Sequence, residues 1–162
     1  MAAPDMFLKL EGVTGECAAS GHTTEMALTG WEWGFANNTS FYGSGGGTIS
    51  KGFAYNIRVS QQMDKSAPTL VQFCMSGEHI QEGTIVMRKS GGKTPLDYLT
   101  LTFKECVIAY VNMKSGGEVP EMVYDLAFKE YTISYQPQDD KGAKSGGPID
   151  TTYNVATASA GA

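Results

Sequence analysis

Basic residues are scarce in this sequence: 12 lysines and arginines stand against 17 aspartates and glutamates, a formal charge of -5 over 162 residues. Sequence-independent binding to nucleic acid needs clustered positive charge on phosphates, so nucleic acid is not an expected partner. Long apolar runs are missing as well. None approaches the roughly 18 residues of a membrane span, and no stable membrane insertion is expected. The stretch Met1 to Lys9 holds neither the basic region nor the apolar core of a Sec signal peptide, so any export is expected to use another machine. Cysteine is rare and odd in number; Cys17, Cys74 and Cys106 make no disulfide framework, and reduced thiols are the expectation.

Motifs that carry chemistry are also missing. Ser44 in Gly43-Ser44-Gly45 lacks the outer glycines of a nucleophile elbow. Gly92-Lys93-Thr94 ends like a phosphate-binding loop, but Met87 stands where the upstream glycine belongs, and the context is strand-turn-strand with no helix N-terminus to follow. Cys17 with His22 and Cys74 with His79 share one spacing, which does not match the usual zinc arrangements. The carboxylate pairs Asp139-Asp140 and Glu118 with Glu121 read as solvated loop residues. No catalytic residue, metal or cofactor is expected, and the chain reads as no enzyme.

What is present is a succession of alternating apolar patterns separated by glycine turns. Met6, Leu8 and Leu10 alternate along a first strand. A second is expected to run unbroken from Thr24 to Phe35, with Ala27, Thr29, Trp31, Trp33 and Phe35 on the buried face and Met26, Leu28, Gly30 and Glu32 on the other. Further strands are predicted at 52–59, 84–88, 96–111, 122–128 and 131–135. Val107 to Val111 is apolar on both faces, as a strand covered on both sides would be. One helix is predicted over about 66–76. Ser66 is placed to cap it, Pro68 is tolerated in its first turn, Asp64 complements its dipole, and Gly77 ends it in a left-handed conformation. The fold class expected is mainly β, a small barrel of two packed sheets with one short α-helix. A single domain over 1–155 follows, with a charged flexible arm over 139–148 inside it and a disordered tail over 156–162. The polar, glycine-rich loop over about 37–51 carries Phe41 and Tyr42 beside Gly45, Gly46 and Gly47, and could dock those rings on a neighbouring molecule.

Several stretches read together carry a family pattern: Met6-Phe7-Leu8-Lys9; Gly30-Trp31-Glu32-Trp33-Gly34; Asp64-Lys65-Ser66-Ala67-Pro68-Thr69-Leu70 through Ser76-Gly77-Glu78-His79-Ile80; Arg88-Lys89-Ser90-Gly91-Gly92 with Tyr98-Leu99; and Tyr135-Gln136-Pro137-Gln138 with Gly142 to Gly147. In order and spacing the sequence resembles the haemolysin co-regulated protein (Hcp) family of bacterial type VI secretion. The resemblance implies a barrel similar to phage tail-tube proteins, a homo-hexameric ring, and stacking of rings into the inner tube of a contractile injection machine. It implies partners in the sheath, the spike and effector proteins carried in the lumen, assembly in the bacterial cytoplasm, and secretion without a signal peptide. Carried over by position, Glu32 falls at a lumen-facing site, where acidic charge would favour basic cargo, and the 37–51 loop matches one that reaches a neighbouring subunit. A monomeric or dimeric β-barrel module that binds protein or glycan is the alternative reading, and a hydrolase with an unrecognised site is a second.

Overall fold

Period-2 alternation decides which side chains meet, and in the computed structural model, which describes residues 5–42, 50–89 and 94–160, it builds two sheets around one apolar core. The elements in chain order are β1 (Asp5–Leu10), β2 (Met26–Ala27), β3 (Gly30–Glu32), β4 (Phe35–Ala36), β5 (Phe53–Ala54), β6 (Ile57–Gln62), α1 (Ala67–Ser76), β7 (Ile80–Lys89), β8 (Leu96–Lys114), β9 (Glu121–Ala127), β10 (Glu130–Tyr135), β11 (Ile149–Asn154) and β12 (Ser159–Ala160). All pairing is antiparallel. The first sheet runs β12-β11-β10-β8-β7-β1-β2; the second runs β3-β6-β9 and ends on the C-terminal half of β8. A separate two-stranded ribbon joins β4 to β5. The 19-residue β8 belongs to both sheets, pairing β7 and β10 up to Cys106 and β9 from Val107 onward. The mainly β class with one short helix is therefore as expected, although the hydrogen-bonded ladder does not close into a continuous barrel.

The predicted unbroken strand from Thr24 to Phe35 is instead three short pieces. The Leu28 amide donates to Met6 O at 2.9 Å in the first sheet, and the next amide, Thr29, donates to Ser60 O at 2.8 Å in the second. The chain changes sheets between these residues, so its inward parity changes too: Met26 and Leu28 are buried from one sheet, while Trp31 and Trp33 are half-buried from the other. The strand expected over 52–59 is likewise divided. β5 pairs only with β4, and β6 begins at Ile57 and continues to Gln62. The stretch Val107 to Val111 is not covered on both sides. A register shift between Ile108 and Tyr110 turns the strand, and Tyr110 is 44% exposed.

The helix sits where predicted, with Ala67 and Leu70 buried and Phe73 and Cys74 packed against the core. Its entry differs from the expectation. Ser66 makes no side-chain bond to a helix amide; its own amide donates to Asp64 Oδ1 at 2.9 Å, and its buried hydroxyl also donates to that oxygen. Asp64 is thus the organising side chain, because a carboxylate two residues before the first turn can accept from both groups of Ser66. Pro68 lies in the first turn, and Gly77 at φ 66° ends the helix by donating to Phe73 O.

The arm over 139–148 is a hydrogen-bonded turn, with Asp139 Oδ1 accepting from the amides of Lys141 and Ala143 at 2.8 and 2.9 Å. It leads into β11, a strand absent from the expected set, which pairs along its full length with β10. Within the tail expected to be disordered, Ser159 and Ala160 pair with Asn154 and Tyr153.

Candidate functional site

The outward face of the second sheet is where Glu32 lies, and the register explains its surroundings. Glu32 on β3 is opposite Arg58 on β6, Arg58 is opposite Asp125 on β9, and Asp125 is opposite Tyr110 on β8. Arg58 and Asp125 are flanked along their own strands by inward side chains, Arg58 by Ile57 and Val59, Asp125 by Tyr124 and Leu126. Four strands therefore deliver one row of polar and aromatic groups to the same surface. Arg58 Nε and Nη2 donate to the two carboxylate oxygens of Asp125 at 2.7 and 3.0 Å, and the guanidinium carbon lies 5.4 Å from the centroid of the Tyr110 ring. The hydrogen-bonded Asp125 carboxylate raises the already high pKa of Arg58, with Glu32 adding a smaller push in the same direction. Beside this pair opens a cleft of about 490 Å³ lined by Glu32, Trp33, Gly34, Tyr55, Asn56, Arg58 and Asp125. Ser60, Val123 and Gly30 continue the face with small side chains.

A second surface surrounds the β4–β5 ribbon. Trp33 is its inner anchor, with ring centroids 4.4 Å from Phe35, 5.1 Å from Tyr131, 5.2 Å from Phe103 and 5.6 Å from Phe128. Its indole N–H donates to Tyr55 O at 2.8 Å, tying the ribbon to the start of β6. On the outside, Phe35, Phe53, Tyr131 and Tyr153 line an apolar groove of about 340 Å³. From this ribbon the loop departs, its feet joined by Asn37 Nδ2 donating to Ser50 O at 2.8 Å. Phe41 and Tyr42 are 81% and 96% exposed, so two adjacent rings stand in solvent on the loop that leaves this ribbon. Gly45, Gly46 and Gly47 lie outside the described residues.

The structural motif residues separate into two groups. Trp31 and Trp33 hold the second sheet against the first, with the Trp31 indole N–H directed at Met87 Sδ at 3.3 Å. Asp64, Ser66, Pro68 and Gly77 frame the helix, away from the Glu32 row. Cys17 with His22 and Cys74 with His79 do not come together, and no cluster of three metal-ligating side chains occurs among the described residues. His22 is buried, stacked on Phe7 at 4.1 Å, with Nδ1 2.8 Å from Glu25 and Nε2 3.4 Å from Asp97. His79 is exposed. Sequence reasoning missed Arg58, Asp125, Tyr110 and Tyr55. The signal was present only in part: a lone charge between two inward apolar residues marks an outward position, but the partner across the strand is a fact of register.

Comparison with known proteins places the chain in a family. Residues 7–135 match the family described as type VI secretion system effector, Hcp. The chain is 36% identical over 155 residues to the protein hcp1 of Pseudomonas aeruginosa strain PAO1, covering 94% of this chain and 96% of that one. Among solved structures it is similar to Hcp1 from Salmonella typhimurium, with TM-score 0.81 and 26% identity over 98% of this chain and 99% of that one. A structure described as a type six secretion system protein superposes with TM-score 0.89 at 24% identity, covering 98% of this chain and all of the other.

Proposed function

The chain belongs to the Hcp family of the type VI secretion system, and from that premise we propose that it is a structural tube subunit that closes into six-membered rings, stacks, and is secreted with effector proteins in its lumen. The observation that carries the reading is the second sheet. Among the described strands it has two open edges, three-residue β3 on one side and the 107–114 half of β8 on the other. Unpaired strand edges are aggregation templates unless covered, and a head-to-tail contact that joins one edge to the other covers both when the rotation closes. The exposed outward face, with Glu32, Arg58 and Asp125 across its strands, then becomes the wall of the lumen, and the small neighbours Gly30 and Ser60 suit a surface past which cargo must slide.

The 37–51 loop is assigned to contact between subunits, supported by the exposure of Phe41 and Tyr42 and by the aromatic groove beside its base. The subunit performs no turnover; its partners are copies of itself, the sheath and spike of the machine, and effectors. Assembly in the bacterial cytoplasm precedes export. Light scattering on a sizing column across a range of concentrations tests the reading, with an expected mass near six times the 17.3 kDa subunit. A chain that stays monomeric at the highest concentration attainable favours a small barrel that binds protein or glycan.

A further inference from the structure

Arg58 shows how the outward face holds a cation. A carboxylate meets it edge-on at 2.7 and 3.0 Å, and a tyrosine ring lies 5.4 Å from its guanidinium carbon. Next along the same row, the cleft of about 490 Å³ offers the same two kinds of partner: the carboxylate of Glu32 and the ring of Tyr55, which is 54% exposed, with Asn56 beside them. Arg58, the residue opposite Glu32, also lines the cleft, but its Nε and Nη2 are directed at Asp125, and among the described residues no basic side chain forms an ion pair with Glu32. The Trp33 indole, bonded to Tyr55 O at 2.8 Å, fixes the main chain that presents the ring.

We propose that this cleft is a subsite for a lysine or arginine side chain of a polypeptide, paired with Glu32 and lying against Tyr55. The inference rests on the tube reading in taking that polypeptide to be cargo, and it names the cargo's chemistry: a basic side chain presented on an accessible surface. The physical case is charge complementarity joined to a π face. A charge-assisted contact to a carboxylate and a cation–π contact are each modest at an exposed site. Six copies facing one lumen would multiply a weak contact without any new chemistry. Binding by a single subunit should accordingly be weak and salt-sensitive, because the carboxylate is exposed.

The probe is a capped tetra-arginine peptide, with tetra-citrulline as the neutral counterpart of the same shape. Both are titrated at low salt while tryptophan fluorescence is followed in a Trp31→Phe variant, which leaves Trp33, in the cleft wall, as the single indole of the chain. Calorimetry on the unsubstituted protein replaces fluorescence if that variant fails to fold. Saturable binding of tetra-arginine is expected, weakened about tenfold by Glu32→Gln, which corresponds to about 1.4 kcal/mol. A smaller weakening is expected for Tyr55→Leu, and no response to tetra-citrulline. Equal binding by the Glu32→Gln protein, or by tetra-citrulline, overturns the subsite. Light scattering on the same samples separates the two readings. A ring with Glu32-independent binding sinks the subsite and leaves the tube, whereas a monomer that still binds through Glu32 supports the subsite and sinks the tube.

Discussion

Removing one oxygen from the core, Tyr124→Phe, tests the packing argument most directly. Tyr124 is fully buried, and its hydroxyl donates to Gln61 Oε1 at 2.7 Å; Gln61 is itself only 1% exposed. Gln61 Nε2 donates in turn to Ser66 Oγ at 3.2 Å and to Asp64 Oδ1 at 3.3 Å. A chain of polar groups therefore crosses the apolar interior from β9 through β6 to the entry of α1. Phenylalanine fits the same space, so no cavity term enters. What remains is a buried amide oxygen with no partner, and its desolvation makes the loss about 1–3 kcal/mol, more than the net worth of about 1 kcal/mol for an average hydrogen bond.

The double variant Tyr124→Phe with Gln61→Met sharpens the test. Once the amide is gone, deleting the hydroxyl should cost less, because there is no oxygen left to strand; a coupling of about 0.5–3 kcal/mol is expected for groups in one network. Equilibrium denaturation in urea measures both quantities. It must be run at one protomer concentration, since any self-association would stabilise the folded chain by mass action. A Tyr124→Phe protein within about 0.3 kcal/mol of the original, or strictly additive single effects, would refute the claim that the buried Gln61 amide oxygen depends on the Tyr124 hydroxyl.

Other perturbations separate further parts of the structure. A methyl group on Gly15 would sit 2.4 Å from Glu25 O, a main-chain atom, whereas one on Gly83 would meet the end of the Leu10 side chain at 2.7 Å. Gly15→Ala should therefore displace backbone and Gly83→Ala should cost about 1–3 kcal/mol by overpacking; unchanged melting of Gly15→Ala would contradict the close approach of the main chain at Glu25 to Gly15. Burial pushes the Cys106 thiol up to about 12. The unfolded chain then loses this proton near pH 9 while the folded chain keeps it, so stability should fall as pH rises from about 9 toward 12, by at most about 1.4 kcal/mol per unit for one proton. Cys106→Ala should flatten that slope, and a slope unmoved by the substitution would place its origin elsewhere, with buried Tyr124, whose pKa burial also raises, as the next group to test. On the open half of β8, the amides of neighbouring residues point to opposite sides. Of Asn112→Pro and Met113→Pro, one should break the ladder to β9 and lower monomer stability, and the other should spare it while reducing ring mass; two variants alike in both respects would argue against edge pairing.

Much of this was legible in the sequence where a local rule decides the outcome. The helix could be placed from Pro68 and Gly77 because each has a conformational meaning at one position. Glu32 could be placed outward because Trp31 and Trp33 flank it. Rules of period failed where the chain changes partners: Leu28 and Thr29 are adjacent in sequence but hydrogen-bond into different sheets, which no alternation encodes. The strand over Ile149–Asn154 was hidden by its composition, since Asp150, Thr151, Thr152 and Asn154 read as loop until they pair with β10. Ser66 looked like the cap by residue type. That Asp64 organises the turn depends on Gln61 arriving from β6, a contact made across the core.

The buried network and the outward row are two consequences of one register. Gln61 and Tyr124 point inward from β6 and β9, and Arg58 and Asp125 point outward from the same two strands. A slip of either strand by one residue would reverse its faces, taking a charged side chain into the core and a bonded polar group out of it. Apolar residues alone would penalise such a slip only through area lost from the core. Here the slip would also leave the Gln61 amide or the Tyr124 hydroxyl without its partner and break the two bonds of the Arg58–Asp125 pair, so the penalty is paired across both faces of the sheet. Glu32 inherits its position from this lock through the pairing of Trp31 with Val59 and of Glu32 with Arg58. The same polar contacts that specify the inside thus fix which groups reach the outward surface, and a change at Gln61 or Tyr124 should be felt in the geometry of the cleft without touching any residue that lines it.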